Sequence, residues 1–243
     1  YVTIEENVFE NNWVSKQNGK GILFTPRNQN GNSNWCELQY ETFRNNVLRN
    51  SAGGMNILGT DDIKRSKQLI HVTIENNLFH DIGDPLLGAS VAAGWLFSIE
   101  NKTDNVVINH NTGLQAKDIS FSWGQASTNF AFTNNVVTHN TCSFGTNDCG
   151  MAGTGTNPGL PTLTRYFTNP VVTRNVMFEG NESGTWTYPP ANLFPAAVSF
   201  NPDYTLNMND PGNANYIDGN GKPLGIDSAV EAATAGVVQY TRP

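Results

Sequence analysis

Charge is scarce in this chain. Asp, Glu, Lys and Arg make up only 14% of its 243 residues, and 14 Lys or Arg face 21 Asp or Glu for a formal net charge of −7. A nucleic acid or an anionic membrane surface requires a basic patch that this balance does not supply, so neither is expected as a partner. Long apolar runs are missing as well. No stretch of about 18 apolar residues exists, and no transmembrane helix is expected. Only three cysteines occur. Cys142 and Cys149 bracket six residues, a spacing that suits a disulfide closing a short loop, the alternative being two reduced loop thiols; Cys36 has no evident partner. No His or second Cys pair stands at zinc-ligand spacing. A starting Met and a leader are absent too: the chain opens at Tyr1 inside a strand pattern, Val2-Thr3-Ile4, and reads as a processed product or a fragment whose earlier coils precede Tyr1.

What the sequence has in excess is Asn, 34 residues of it. Asn tolerates the left-handed backbone region and bonds its own backbone, so this abundance implies many tight turns between short strands. A short pattern organises them: apolar, any, apolar, any, any, Asn, apolar. It recurs at Val2 to Val8, Glu41 to Val47, Val72 to Leu78, Val106 to Thr112, Phe130 to Val136 and Pro170 to Val176, with Glu41, Thr112 and Pro170 departing from the apolar slots. The Asn positions are 7, 46, 77, 111, 135 and 175. Their spacing is uneven. A propeller or a helical repeat holds its period, whereas a β-helix coil keeps a core of roughly two dozen residues and absorbs insertions in its loops.

The period-two alternation in each copy predicts a strand with one face inward, and the Asn marks a bend. Further apolar runs, Gly21–Phe24, Gly54–Leu58, Trp95–Ile99 and Ile119–Trp123, read as another strand of each coil. The recurrent Asn is expected to form a ladder of side-chain amides from coil to coil. The fold class is therefore all-β, a single-stranded parallel β-helix over residues 1–200 followed by a tail and cap over 201–243. In the tail, Ser228 with Glu231 fits a capping box and Gly236 a helix stop, predicting a short helix that covers an open end. The uncapped first coil is a surface through which copies could associate.

Through these strand-Asn copies the chain resembles the pectate-lyase-like superfamily of right-handed parallel β-helix repeat proteins. The tail, with Asn201-Pro-Asp-Tyr204 and Gly225-Ile-Asp227, is similar to the closing segment of secreted bacterial members. The resemblance implies an extracellular or cell-surface protein that grips a polysaccharide along the rod, as a lyase or hydrolase acting on uronic-acid polymers. The Trp-Ile-Asp-His signature of pectate lyases and the Gly-His-Gly element of polygalacturonases are both missing, so no catalytic residue carries over, and fold alone does not give activity.

Stacking places equivalent positions of successive coils in rows. Two residues before the Asn lie Glu5, Arg44 and Glu75; three after it lie Glu10, Arg49 and His80, with Asp81 next. These rows suggest a charged cleft on coils one to three. There Arg44 or Arg49 would offset a substrate carboxylate, His80 or Lys64 would take a proton, and Glu75 or Asp81 would hold calcium. Asp61 and Asp62 in the charged loop Gly59–Lys67 are further calcium candidates. The plainer alternative for Glu5-Arg44-Glu75 is an exposed salt-bridge ladder. Trp13, Trp35 and Trp186 are the candidate sugar platforms, while Trp95 and Trp123 lie in strand patterns and are expected in the core. The competing function is a non-catalytic glycan-binding, adhesive or filament module.

Overall fold

A computed structural model describes residues 1–15, 17–140, 150–180 and 187–230. Each recurring pattern forms the corner between two strands. The first sheet stacks Val2–Glu5, Leu38–Arg44, Leu69–Glu75, Asp104–Asn109 and then the split strands Ser127–Thr128 with Ala131–Thr133 and Phe167–Thr168 with Val171–Thr173. The second stacks Val8–Asn12, Val47–Ser51, Leu78–Ile82, Thr112–Gln115, Val136–Thr138 and Val176–Phe178. The third stacks Lys20–Phe24, Gly53–Leu58, Phe97–Glu100, Ser120–Trp123 and Met151–Gly153. Every ladder within the three sheets is parallel, and the chain passes through the sheets in turn, so the molecule is an all-β parallel β-helix of six coils.

The corner explains the pattern. Glu6, Asn45, Asn76, His110, Asn134 and Arg174, each just before a patterned Asn, hold left-handed φ angles between 52° and 60°. The Asn that follows turns its side chain along the rod. From Asn7 through Asn46, Asn77, Asn111, Asn135 and Asn175, the backbone N–H and side-chain Nδ2 of each residue donate to the Oδ1 of the next, at 2.9–3.1 Å. Asn192 adds a rung beyond the six copies, accepting from Asn175.

Inside, Ile4, Phe43, Ile74, Ile108, Phe132 and Val172 pair in register on the first sheet and meet Leu48, Phe79, Val137 and Met177 from the second and Met55, Ile57, Phe97 and Ile99 from the third. Glu41 does occupy an inward slot, between Val2 and Val72, and burial pushes its carboxyl above the ordinary range. The one α-helix among the described residues, Leu160–Tyr166, packs beside the fifth coil rather than over an end.

The tail lies along the outside of the second sheet. Leu206 and Leu224 pack on Val136, Val176 and Phe178, while Ile226 and Val230 pack on Val47 and Leu78. Between them the backbone climbs the rod: Gly225 N donates to Asn134 O, Ile226 N to Thr112 Oγ1 and Asp227 N to Asn76 Oδ1, crossing coils five, four and three on consecutive residues. The helix expected from Ser228 to Gly236 lies beyond the described residues from position 231 onward.

Candidate functional site

The third sheet turns a second row of side chains outward and then covers it. Asn56, Ser98 and Phe121 pair across three coils, as do Leu58, Glu100 and Trp123. With Lys20 from the first coil, Arg27 from the loop after it and Trp95, all but Leu58 line a groove with a cavity of about 390 Å³. Trp95 and Phe121 stack at 4.1 Å and 7°, and Trp123 tilts against both at 6.3 and 6.0 Å. The Lys20 ammonium stands 5.4 Å from the Trp95 ring centre and donates to the Trp95 carbonyl at 3.2 Å. Trp95 is thereby buried, and the half-buried Phe121 and Trp123 are the rings presented to a ligand.

Two groups in this groove titrate far from their ordinary ranges. Burial pushes the Lys20 amine down to about 7, against the raising pull of Glu100 and Asp118. Burial likewise pushes the Glu100 carboxyl up to about 7; Asp62 adds to the rise, while Arg27, Lys20 and a hydrogen bond from Asn56 oppose it. An acid and a base that both change state near neutrality are suited to proton transfer. Beneath them, Asn56 Oδ1, Trp95 Nε1 and Ser98 Oγ are buried without a hydrogen-bond partner among the described residues. These polar atoms face the groove and are available to a ligand's hydrogen-bonding groups.

Arg27 closes one side. Its guanidinium pairs with Asp62 and, at 3.4 Å, with Asp61. Beyond Asp62 a second cavity of about 750 Å³ opens, walled by Thr60, Asp61, Asp62, Arg65, Lys67 and Lys102 among others. Burial works to raise the Asp61 carboxyl, but the N–H groups of Ile63, Lys64 and Asn28 and the Arg27 charge outweigh it and hold it below the usual range.

No family model, curated protein or solved structure matches the chain. The parallel solenoid therefore rests on its strand register, and the site on its own geometry.

The residues singled out in the sequence are dispersed. Arg44 bonds Glu5 through Nε at 2.6 Å on the first sheet; Glu75 stands in register on its other side, but among the described residues only the Glu5 pair is at salt-bridge distance. Arg49 pairs with Glu10 at 2.7 Å on the second sheet. His80 bonds Asp81 at 2.7 Å and is stacked under Tyr204 of the tail at 4.9 Å; burial holds its imidazole below the ordinary value. Lys64 lies in the charged loop with its aliphatic stem against Gly31. Asp61, Asp62, Glu75 and Asp81 do not come together as one set of calcium ligands: the first two serve the loop and Arg27, and the others stand on different sheets. Among the described residues no three His, Cys, Asp or Glu side chains form a group able to hold a metal ion. Trp13 and Trp35 are exposed outside the groove. Trp186, Cys142 and Cys149 lie outside the described residues; Cys36 is a free thiol.

Trp123, half-buried, is the correction to the expected core. Ser120 and Ser122 take the inward phase of that strand, in register with Phe97 and Ile99, and the aromatics take the outward one. Lys20 and Glu100 each sit one residue outside an apolar run, Gly21–Phe24 and Trp95–Ile99, and a charge abutting a buried strand was the available signal.

Proposed function

We propose that the chain is a carbohydrate-active β-helix of pectate-lyase-like type that binds an acidic polysaccharide along the third-sheet groove and cleaves it by β-elimination. The observation that carries this reading is the Lys20–Glu100 pair, both groups moved to about 7 in a groove presenting Phe121 and Trp123. Aromatic faces hold the apolar face of a sugar ring. The neutral Lys20 amine removes the proton beside the uronate carboxylate. The electron pair left behind forms the double bond as the glycosidic C–O bond breaks, and protonated Glu100 gives its proton to the departing oxygen. Lys20 must be neutral and Glu100 protonated together, so activity should peak close to pH 7 and fall on both sides. Such polymers lie outside cells, which makes a secreted or surface location part of the same proposal.

The test is incubation with a panel of uronic-acid polysaccharides, with and without calcium, following the ultraviolet absorbance of the unsaturated product. Lys20→Met and Glu100→Gln should each lower the rate by about 10²–10⁴-fold, the usual contribution of a positioned acid or base. New reducing ends without absorbance would mean hydrolysis instead. Retention of glycan without any cleavage would mean a binding module and would end the catalytic reading.

A further inference from the structure

The cavity beyond Asp62 differs in character from the groove. In a chain of net charge −7, three of the 14 Lys and Arg residues, Arg65, Lys67 and Lys102, line this one space. The two acids in its wall are already committed. Asp61 Oδ1 accepts from the N–H groups of Ile63 and Lys64 at 2.8 and 3.1 Å, its Oδ2 accepts from Asn28 N at 2.8 Å, and Asp62 is paired with Arg27. Lys67 meets Glu37 at 3.0 Å, but both are exposed, and such a solvated pair holds its partners only weakly. The Arg65 guanidinium and the Lys102 ammonium have no partner among the described residues.

Their attachment points are nevertheless fixed. Buried Asn28 donates through Nδ2 to Arg65 O at 2.6 Å. Lys102 N donates to Gln125 O at 3.0 Å, and its own carbonyl accepts from Gln68 Nε2 at 2.7 Å. Lys102 is held at φ 71°, a left-handed conformation unfavourable for a residue with a side chain. Pinned backbones keep the two exposed, unpaired cationic heads over one space, so binding an anion has only their side chains left to order.

We propose that this cavity is an oxyanion site, taking a carboxylate or sulfate group, with Arg65 and Lys102 as its principal donors. Arg65 offers the planar fork that matches two oxygens of one group, and Lys102 a point charge beside it. The site shares Asp62 with the groove, so an anion seated here belongs to a sugar unit next to the one over Trp123. That last step rests on the polysaccharide reading; the oxyanion site itself does not.

The experiment titrates inorganic sulfate into the full chain, followed by chemical-shift perturbation, for the wild type and for Arg65→Ala/Lys102→Ala. Saturable shifts at residues 60–68 and 102 that weaken at least tenfold in the double variant are expected, and the wild-type affinity should fall as chloride is raised. Equal titrations in the two proteins, or no saturable shift, would overturn the site. A second arm compares a polyuronate with its carboxyl-reduced form. If Arg65→Ala/Lys102→Ala loses the preference for the acidic polymer while Trp123→Ala weakens both, the anion comes from the bound chain. If the double variant keeps that preference, the polymer link fails while sulfate binding stands. If Trp123→Ala leaves polymer binding unchanged, it is the groove reading that fails.

Discussion

Replacing Asn77 by Ala should cost far more than the loss of one side chain on a polar residue would suggest. Asn77 is fully buried and serves four neighbours at once. Its Nδ2 donates to Phe43 O at 2.8 Å, Glu75 O at 3.0 Å and Asn111 Oδ1 at 3.0 Å, while its Oδ1 accepts from Asn46 N and Nδ2 at 2.9 and 3.1 Å. Alanine orphans the Asn46 N–H, at about 1–3 kcal/mol, and removes the bonds to the Phe43 and Glu75 carbonyls, at about 1 kcal/mol each, so the expected loss is about 3–5 kcal/mol. Asn7, at the first rung, donates only to Glu5 O and to Asn46, at an exposed corner, so Asn7→Ala should cost about 1 kcal/mol. Urea unfolding followed by circular dichroism, with equal m-values, measures both. Asn77→Asp sharpens the comparison because it preserves shape. An ionised carboxylate there would face three acceptor oxygens, so the folded state keeps the proton. Above the ordinary Asp value of about 3.9 the folded chain then binds more protons than the unfolded one, and stability must fall as pH rises. If Asn77→Ala lies within about 0.5 kcal/mol of Asn7→Ala, or Asn77→Asp shows no such slope, the buried amide ladder does not stabilise the coils.

Three other outcomes are expected. Glu100, raised to about 7, makes the folded chain bind more protons between about 4.5 and 7, so stability falls across that window; Lys20, lowered to about 7, makes the unfolded chain bind more between about 7 and 10.5, so stability rises there. Thermal melts against pH should show a minimum near 7, with Glu100→Gln removing the falling limb and Lys20→Met the rising one. Gly54→Ala would place a Cβ 2.0 Å from the Leu96 carbonyl oxygen, backbone that cannot move aside, and soluble yield and urea midpoint should both drop sharply. Leu224→Ala, at a position 1% exposed between tail and second sheet, should cost about 2–5 kcal/mol by the same urea measurement.

The corner motif was the most legible part of this fold, because one backbone geometry demands both a left-handed residue and an amide after it, and those demands repeat as letters. The second sheet was less legible for a physical reason. Val47-Leu48, Leu78-Phe79, Val136-Val137 and Val176-Met177 put one apolar residue under the tail and the next into the core, so the alternation that marks a half-buried strand is erased. The groove escaped for the converse reason. In Ser120-Phe121-Ser122-Trp123 the alternation is intact, but its phase is reversed, and hydropathy alone assigns the aromatics to the interior. Charged rows on the first two sheets were readable from Asn spacing, yet Lys20, Arg27 and Glu100 come from positions that no common offset from the Asn connects.

The tail changes what kind of object the rod is. A solenoid whose coils touch only their neighbours can fray or open one coil at a time, and its stability is a sum of local terms. Here the bond between Asn76 and Asp227 joins residues 151 apart, and the tail residues that flank it bind coils from the sixth back to the second. Opening any one coil in that span must also peel the strap away from the others. The chain is therefore expected to melt as one body, and the third-sheet groove gains from the strap a rigidity that coils stacked only on their neighbours would not supply.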